Sequence, residues 1–445
     1  MHYTPARSGP IRVASPVRCR ARLAGFPLYL PHSMPFSDLG ISPALAHAMV
    51  LQGFVLPTPV QAQTVPVALG GQDVLACAQT GSGKTAAYAM VLLAQLASRT
   101  GPKSRHAAAL VVVPTRELAT QVGDTLRTLA QHAGQAARVT VLFGGVSINP
   151  QLMGLRGGTD IVVATPGRLL DVVDHRALSL GGVETLVLDE ADRLLDLGFA
   201  QELDRIRGLL PARHQSLLYS ATFSAGVRTM AQASLHNPVE VNVVAEEGEQ
   251  PDIAQRAIQV DASQRTQLLR HLIAEHGWSR VLVFVATKYA AEMVADKLRR
   301  AGLLAEPFHA QLSQGKRTQV LMDFKASAIQ VVVATDVAAR GIDISDLPVV
   351  VNFDLPRSAT DYTHRIGRTA RAGASGLAVS FVTADMESHF RLIEKRHRTT
   401  IAREQVAGFA PTATVPVATL GGGIKGHRPS KKDKLRAAGL LPPLA

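Results

Sequence analysis

Short apolar runs alternate with amphipathic stretches between residues 73 and 244. Each run is six or seven residues long and rich in valine and leucine, a length typical of a buried strand and short for a helix. Such runs, separated by helical patterns, predict parallel strands that helices cover on both faces. The predicted strands are 73–78, 108–114, 138–143, 160–166, 185–190, 216–222 and 238–244.

The same alternation starts again after an acidic stretch. Residues 245–252 (AEEGEQPD) have no apolar period and contain glycine and proline, so they are predicted to link two domains. The sequence therefore predicts an α/β protein with domain 1 at 34–244 and domain 2 at 253–404. Ligands bind beyond the carboxyl ends of the strands in such sheets, so polar residues directly after the runs are candidates for chemistry. Four more strands are predicted, at 280–287, 330–335, 348–356 and 376–383.

The composition is typical of a large folded protein with basic ends. Hydrophobic residues make up 47% of the 445 residues, and no apolar run approaches the roughly 20 residues that a membrane-spanning helix needs. The net charge is +12, but residues 1–33 and 421–445 carry +5 each, which leaves only +2 for the body. Basic tails favour polyanions without reading sequence; the alternative is a tail that only aids solubility. Cys19 and Cys77 form no disulfide or metal pattern, which favours a reducing compartment.

The two ends of the chain lack the pattern of the body. We expect residues 1–33 to be a disordered leader or a misassigned start, with Met34 as the true first residue. Mass spectrometry of the native N-terminus tests this expectation. The leader has five arginines and no acid, so it also matches the composition of an organellar transit peptide. Residues 405–445, which include GGGIKG and PSKKDK, are predicted to form a flexible basic tail.

A glycine-rich segment directly follows the first predicted strand. Residues 78–85 read AQTGSGKT and precede a helical pattern, which is the context of a P-loop. Gly81 and Gly83 let backbone N–H groups turn toward phosphate oxygens, and the helix N-terminus adds partial positive charge. Lys84 would contact the β- and γ-phosphates, and the Thr85 hydroxyl would contact Mg²⁺. The predicted cradle, which starts with alanine where the general pattern has glycine, is Ala78, Gln79, Thr80, Gly81, Ser82, Gly83, Lys84 and Thr85.

The predicted strand at 185–190 ends in carboxylates. Three acids fall within four residues, and burying like charges together is costly unless a cation or hydrogen bonds meet them. Beside a P-loop, the expected cation is the Mg²⁺ of a bound nucleotide. Asp189 would hold Mg²⁺ through water, and Glu190 would orient and deprotonate the attacking water. The alternative is an exposed acidic turn at a helix N-terminus, where negative charge is also favourable.

The four residues at 189–192 read DEAD, and the chain closely resembles the DEAD-box family of ATP-dependent RNA helicases. The resemblance covers about residues 36–395 and implies two RecA-like domains, each a mostly parallel sheet flanked by helices, that bind ATP and Mg²⁺ between them. We expect a bacterial-type member that is cytoplasmic and monomeric. The resemblance rests on ten motifs in the family's order: GFVLPTPVQ, AQTGSGKT, PTRELA, GG, TPGR, DEAD, SAT, QGKR, ATDVAARGID and HRIGRTARAG.

The resemblance implies nucleotide contacts from both domains. Gln61 would bind the adenine edge, because an amide donates and accepts at once. Phe36 would stack on the base, although it also fits a simple core position. In domain 2, Asp343 would contact the ribose, and two arginines would stabilise charge at the γ-phosphate. The implied catalytic residues are Lys84, Asp189, Glu190, Arg368 and Arg371.

The resemblance also implies RNA contacts and a link between the two ligand sites. His364 would couple the sites through Asp192 and the segment that contains Ser220 and Thr222. Phosphate and sugar contacts position RNA without reading its sequence, and the 2′-hydroxyl distinguishes RNA from DNA. Aromatic residues make up only 4% of the chain, so we expect binding that is independent of sequence. The implied RNA-binding residues are Pro114, Thr115, Arg116, Gly145, Thr165, Arg168, Arg317 and Thr335.

The predicted function is RNA-stimulated ATP hydrolysis coupled to local, non-processive unwinding of RNA duplexes or remodelling of ribonucleoproteins. Ribonucleoprotein or RNA-degradation complexes are candidate partners. One alternative is a DNA-directed ATPase of superfamily 2, against which Gln61 and the DEAD residues argue. The other is an ATP-dependent RNA clamp without efficient turnover, against which Glu190 and the two arginines argue. The response of ATP hydrolysis to RNA and to DNA distinguishes the three.

Overall fold

The computed structural model describes residues 22–23, 26–27, 34–79, 81–99, 106–243, 253–339, 347–369 and 375–412. Within these ranges the apolar runs form strands. The strands are β1 Arg22–Leu23, β2 Phe26–Pro27, β3 Val74–Ala78, β4 Ala109–Val112, β5 Val139–Leu142, β6 Ile161–Ala164, β7 Thr185–Leu188, β8 Gln215–Ser220, β9 Val239–Val243, β10 Ile253–Gln259, β11 Val281–Val285, β12 Ala305–Phe308, β13 Val331–Thr335, β14 Val349–Asn352, β15 Gly376–Val382 and β16 Arg403–Glu404.

Helices fill most of the connections between the strands, and many begin at a Ser or Thr whose side chain accepts a backbone N–H of the first turn, as Ser42, Thr115 and Ser358 do. Two short 3₁₀ helices cover Phe36–Leu39 and Ala384–Met386. The α-helices are α1 Pro43–Leu51, α2 Pro59–Leu69, α3 Lys84–Ser98, α4 Arg116–His132, α5 Asn149–Gly154, α6 Pro166–Asp174, α7 Ala191–Asp196, α8 Ala200–Gly208, α9 Ala225–Ser234, α10 Arg265–His276, α11 Lys288–Arg300, α12 Gln314–Lys325, α13 Asp336–Ala339, α14 Ala359–Ile366 and α15 Glu387–His397.

Two seven-stranded sheets form the frame of the molecule. The order is β5-β6-β4-β7-β8-β3-β9 in domain 1 and β12-β13-β11-β14-β15-β10-β16 in domain 2, and every pairing in both sheets is parallel. All eleven strands predicted from the sequence are present, with ends that differ by a few residues. The predicted α/β class with two parallel sheets is therefore confirmed.

Both faces of each sheet are buried beneath helices. In β4, Ala109 and Val111 belong to one apolar core of domain 1, whereas Leu110 and Val112 belong to the other. Full burial of a valine or leucine side chain contributes roughly 1.5–3 kcal/mol, which is why these strands are apolar at successive positions and do not alternate. Among the described ranges, no helix has the length and apolar content that crossing a membrane requires.

Three strands of domain 2 were not predicted. β12 lies at one edge of the sheet, β16 at the other edge, and β10 next to β16. β10 (IAQRAIQ) is only partly buried, and β12 (AEPF) contains a glutamate and a proline. Strands near a sheet edge need fewer apolar side chains, so the sequences of these three contain no apolar run that predicts them.

The predicted leader, linker and tail fall mostly outside the described residues. Within the leader, β1 and β2 form a minimal antiparallel pair, where no strand was expected from the pattern of residues. The linker at 245–252 and the basic segment from residue 413 onward lie outside the described ranges. Residues 405–412, however, stay on domain 2 beyond the predicted boundary: Phe409 packs against its core, and the Thr412 N–H donates to Asp261 Oδ2 over 2.9 Å.

A half-buried arginine fixes the carboxyl-terminal part of domain 2. The Arg403 guanidinium donates to Glu394 Oε1 and Oε2 over 2.8 Å each and to Glu387 Oε2 over 3.1 Å, and it lies 4.7 Å from the Phe390 ring centroid. Burial acts to raise the pKa of Glu387, but hydrogen bonds from Arg403 and Arg391 outweigh it and lower the pKa. The Arg403 hydrogen bonds likewise lower the pKa of Glu394. We call Arg403, Glu387 and Glu394 the Arg403 cluster.

Candidate active site and RNA interface

The sheet order sorts the candidate residues into two groups. In domain 1, β7, β8 and β3 lie side by side and lead into the DEAD, SAT and P-loop segments, whereas β5, β6 and β4 lead into the GG, TPGR and PTRELA segments. We call these the P-loop half and the GG half. All strands are parallel, so both groups lie at the carboxyl edge of one sheet, as the sequence predicted.

The P-loop makes its tight turn at two glycines. Gly81 and Gly83 have φ angles of 85° and 92°, in the left-handed region that favours glycine. A Cβ on Gly83 would lie 2.5 Å from the Gln61 Nε2, so that space is already filled. Lys84 starts α3 and is buried, and its Nζ donates to the Ala78 carbonyl oxygen over 2.7 Å. The Lys84 side chain therefore bonds the start of the P-loop, and its ammonium group lies within the loop.

Gln61 joins helix α2 to the P-loop. Its Oε1 accepts the Thr58 N–H over 3.0 Å, and its Nε2 donates to the Gly83 carbonyl oxygen over 3.2 Å. The contact with adenine stays a prediction, because the described partners of the amide are protein groups. Phe36 is 4% exposed and packs in a core of domain 1, so it presents little ring surface here, and base stacking also stays a prediction.

Strand β7 delivers the DEAD acids into a buried site. Asp189 is 2% exposed; its Oδ2 accepts the Tyr88 hydroxyl over 2.9 Å and its Oδ1 accepts the Glu190 N–H over 2.8 Å. Burial raises the pKa of Asp189 to about 6, and the positive charge of Lys84 acts against the rise. Glu190 has a φ of 51°, a conformation that costs a non-glycine residue roughly 1–3 kcal/mol and is found mainly at functional sites.

Two residues that the sequence reasoning missed complete this acidic site. The Arg193 Nη1 donates to Glu190 Oε2 over 2.9 Å, and both side chains are buried. The Tyr88 hydroxyl interacts with Thr85 as well as with Asp189. Both residues had a signal in helical spacing, because Arg193 follows Glu190 by three residues and Tyr88 follows Thr85 by three.

The donor set at this point fits Mg²⁺. The Thr85 hydroxyl and the Asp189 carboxylate are hard oxygen donors, and Tyr88 touches both, so they lie close to one another. In the part of the chain that the structure describes, no cluster of three or more His, Cys, Asp or Glu residues suits a metal ion. Few protein ligands suit Mg²⁺, because it usually keeps water and substrate phosphates as its other ligands.

The SAT segment contacts the last acid of DEAD. The Thr222 hydroxyl donates to Asp192 Oδ2 over 3.3 Å, and the Ser220 hydroxyl donates to the Thr222 carbonyl oxygen over 2.8 Å. The structure thus brings together the three domain 1 residues of the predicted coupling group. Their hydrogen bonds link the end of β8 to the start of α7.

Two residues of domain 2, His364 and Arg368, lie near the DEAD segment of domain 1. His364, on α14, lies near Asp192 and Arg193 of domain 1. Burial, followed by the charge of Arg193, lowers the pKa of His364 to about 4, so the imidazole is neutral near pH 7. Arg368 is buried and lies close enough to His364 to act on its charge. Three predicted nucleotide-site residues fall outside the described ranges: Thr80, Asp343 and Arg371.

At the GG half, an arginine and a glycine fit closely. The guanidinium of Arg116 occupies the space where a Cβ on Gly145 would stand, and Gly145 has a φ of 75°. Nearby, the Arg168 Nη2 donates to the Val146 carbonyl oxygen over 2.8 Å. The buried Nη1 of Arg168 has no hydrogen-bond partner among the described residues, so it offers a donor that a phosphate would satisfy.

The remaining predicted positions lie at strand or helix ends. Thr115 accepts the Leu118 N–H at the start of α4, and Thr165 is buried at the start of α6. Pro114 follows β4, and Thr335 ends β13. In the P-loop, the hydroxyl of the serine donates to the carbonyl oxygen of the glutamine over 2.8 Å; these are Ser82 and Gln79.

Arg317 lies in an ion pair that crosses between the domains. Its Nε is 2.9 Å from Oε1 of Glu117, the glutamate of PTRELA, and both side chains are less than 10% exposed, at 5% and 7%. The guanidinium lies 4.9 Å from the Phe308 ring centroid, and Gln314 Nε2 donates to the same Glu117 oxygen over 3.4 Å. Arg317 was predicted to contact RNA, and that contact stays a prediction; its partner Glu117 was not predicted from the sequence.

Comparisons with known proteins agree with this geometry. The model of the DEAD/DEAH box helicase family matches residues 58–230, and that of the helicase conserved C-terminal domain matches residues 264–373. The DEAD-box ATP-dependent RNA helicase CshA of Bacillus licheniformis is 39% identical over 404 residues, covering 91% of this chain and 80% of the relative. CshA of Bacillus subtilis is 40% identical over 363 residues, covering 82% and 72%.

Two solved structures are similar to this chain over both of its domains. One is S. cerevisiae Dbp5 bound to RNA and ADP BeF3, with a TM-score of 0.73, 28% identity, and coverage of 84% of this chain and 95% of that one. The other is Mss116p bound to ssRNA and AMP-PNP, with a TM-score of 0.75, 28% identity, and coverage of 83% and 78%. The chain belongs to the DEAD-box family of ATP-dependent RNA helicases and has that family's two RecA-like domains.

Proposed function

We propose that this helicase separates short RNA duplexes by closing its two domains around ATP and RNA. The observation that carries the proposal is an ion pair and a charge interaction between the domains. Arg317 meets Glu117 beside the GG half, and His364 lies near Asp192 and Arg193 beside the P-loop half. Because both halves belong to one rigid sheet edge, closing on one ligand would assemble the site for the other.

At the nucleotide, the residues of domain 1 would bind and those of domain 2 would complete the site. Lys84 would exchange its bond to Ala78 for phosphate oxygens. Thr85 directly and Asp189 through water would hold Mg²⁺, which would neutralise phosphate charge. Gln61, Phe36 and Asp343 would contact the adenosine, as the family resemblance implies.

Hydrolysis would depend on Glu190 and on arginines from across the cleft. Glu190 would orient the attacking water and accept its proton, with the carboxylate kept in place by the Arg193 hydrogen bond. Arg368 and Arg371 would stabilise the charge that develops at the γ-phosphate, an effect worth about 10³–10⁵ in rate for arginine fingers of related NTPases. When the domains close, His364 would act on Asp192, which accepts a hydrogen bond from the Thr222 hydroxyl. His364 would in this way link closure to the SAT segment.

RNA would bind along the GG half and the facing part of domain 2. Threonine hydroxyls, the turn at Gly145 and the unpartnered Nη1 of Arg168 suit phosphate and sugar oxygens, so binding would not depend on base sequence. The closed state would prefer a bent single strand, and this preference would destabilise a short duplex. Loss of the γ-phosphate would then reopen the domains. Such local action fits cytoplasmic ribonucleoproteins or RNA-degradation complexes as the targets.

Steady-state ATP hydrolysis tests the proposal. The rate is measured alone, with single-stranded RNA, and with a DNA oligomer of the same sequence, beside Glu190→Gln as the control. We expect stimulation by RNA only, and its loss in the control. Equal stimulation by DNA would favour the DNA-directed alternative, and tight ATP-dependent RNA binding without turnover would favour the clamp.

A further inference from the structure

We propose that an open cavity at the opposite edge of the domain 1 sheet binds an acidic, leucine-rich peptide segment of a partner protein. The cavity measures about 620 Å³, a volume typical of sites that bury several side chains. Its walls are the loops that lead into the amino ends of β4, β6 and β7. A partner bound there would leave the carboxyl edge, with its nucleotide and RNA residues, uncovered.

The floor of the cavity is aliphatic. The buried Leu155, Leu178 and Leu180 of one domain 1 core lie beneath the floor, and the half-buried Val173 and Ala177 together with the exposed Leu209 supply its accessible apolar surface. No Phe, Tyr or Trp is among the lining residues. A floor of this kind suits branched aliphatic side chains, which the phosphates and sugars of a nucleic-acid backbone do not supply.

The rim of the cavity is basic. Arg156 and Arg176 are exposed there, together with His106, and no carboxylate lines the cavity. Neither arginine has an ion pair or a side-chain hydrogen bond to a described residue. The rim therefore presents two positive charges beside the aliphatic floor.

The nearest acids in sequence do not neutralise this rim. Asp160 is paired with Arg138, whose Nη2 lies 2.6 Å from the carboxylate, and Asp174 is paired with Arg205 over 2.5 Å. Each acid is thus matched by an arginine that does not line the cavity. The positive charges of Arg156 and Arg176 therefore have no negative partner within the cavity. A partner with negative charges would complement them, so we infer that the partner is acidic.

Of the possible anionic ligands, a peptide fits the apolar floor and the basic rim together. A free phosphate would meet the arginines but leave the apolar side chains of Val173, Ala177 and Leu209 uncovered. A segment in which aspartate and glutamate alternate with leucine pairs would use both surfaces: leucine side chains would cover the floor and carboxylates would meet Arg156 and Arg176. The chain's own basic tail has the wrong charge for this site.

The test measures binding of such a peptide, labelled with fluorescein, to the full chain by fluorescence anisotropy, with excess single-stranded RNA present to cover the RNA interface. The charge-reversal variant is Arg156→Glu/Arg176→Glu. The matched control is Arg270→Glu/Lys297→Glu, which makes the same charge change at exposed, unpaired positions of domain 2. A further variant, Ala177→Trp, fills the cavity and keeps both charges.

We expect the charge reversal and Ala177→Trp each to weaken peptide binding at least about tenfold, with the domain 2 control unchanged. RNA-stimulated ATP hydrolysis should be the same in all of them, because no catalytic or RNA-binding residue is altered. A peptide with serine in place of leucine, and one with lysine in place of the acids, should both bind weakly.

Several results would overturn the proposal. They are no binding to the unmodified chain up to about 1 mM peptide, equal binding by all variants, or equal binding of the serine peptide, which would show attraction to any polyanion. Loss of RNA affinity in Arg156→Glu/Arg176→Glu would assign the cavity to RNA. Failure of RNA-stimulated ATPase in every protein would instead count against the proposed helicase mechanism and leave the peptide result to be judged separately.

Discussion

Replacing Tyr88 with phenylalanine would remove a single oxygen from the Mg²⁺ site and leave the ring in place. The Tyr88 hydroxyl donates to Asp189 Oδ2 over 2.9 Å in a fully buried setting and also interacts with Thr85. The two residues proposed to hold Mg²⁺ are therefore oriented by one hydroxyl. Its loss leaves the Asp189 carboxylate with the Glu190 N–H as its remaining described hydrogen bond.

The size of the effect follows from the type of bond. A hydrogen bond to a charged group contributes about 1.5–3 kcal/mol, which corresponds to about 10- to 100-fold in an equilibrium constant. We expect most of this loss in metal-dependent nucleotide binding, because the carboxylate would turn away from its binding orientation. The free energy of unfolding should change less, because phenylalanine fits the same apolar surroundings without burying a hydroxyl.

The assay is binding of a fluorescent ADP analogue at increasing Mg²⁺ concentrations. We expect Tyr88→Phe to raise the Mg²⁺ concentration for half-maximal binding about tenfold or more, with nearly normal binding at saturating Mg²⁺. The control is Tyr219→Phe, which removes a hydroxyl from a buried ring whose centroid is 5.5 Å from that of Tyr88 but which does not bond Asp189. An unchanged Mg²⁺ requirement in Tyr88→Phe, or an equal shift in both variants, would refute the positioning role.

Three further predictions concern the domain contacts and the frame. Glu117→Gln leaves the buried Arg317 without its ion pair; we expect up to about 3–5 kcal/mol less favourable closure, measured as weaker ATP-dependent RNA binding with unchanged thermal unfolding of each domain. Gly145→Ala would displace the Arg116 guanidinium, so we expect a several-fold higher RNA concentration for half-maximal ATPase and an unchanged ADP affinity. Arg403→Ala should lower the free energy of unfolding by about 3–5 kcal/mol at pH 7. The two glutamates of the Arg403 cluster have lowered pKa values, so their stabilisation is present above their unfolded pKa of about 4.3 and is lost as the pH falls below it. Chemical denaturation measures the free energy of unfolding of Arg403→Ala and of the unmodified chain. The difference between the two values should therefore become smaller as the pH falls below about 4.3.

The sequence predicts best what local spacing determines. Central strands such as β4 are apolar throughout because helices cover both faces, and the P-loop is continuous in sequence. The motifs also mark which strand ends carry chemistry. Edge strand β12 has neither a continuous apolar run nor a motif at its end. One of its sides has no neighbouring strand, and its four residues include Glu306 and Pro307.

Contacts between distant residues were beyond the reach of the sequence. Tyr88 and Asp189 are 101 positions apart and meet only because β3 and β7 lie two strands apart in the sheet. The ion pair of Glu117 with Arg317 requires both domains to be in place. The motifs named Arg317 as a functional residue, but its partner depends on how the two domains face each other.

The chemistry of the two contacts between domains bears on how ligands control closure. Glu117 and Arg317 are both buried, and the cost of removing two charges from water offsets much of their attraction. His364 is neutral, which avoids repulsion from Arg193 and Arg368 but also adds no ion pair. The ion pair therefore specifies the geometry of closure, and both interactions contribute little net free energy to it. A closure that is nearly balanced in this way responds to modest differences in ligand affinity between the open and closed states, so ATP and RNA would decide together when the domains close.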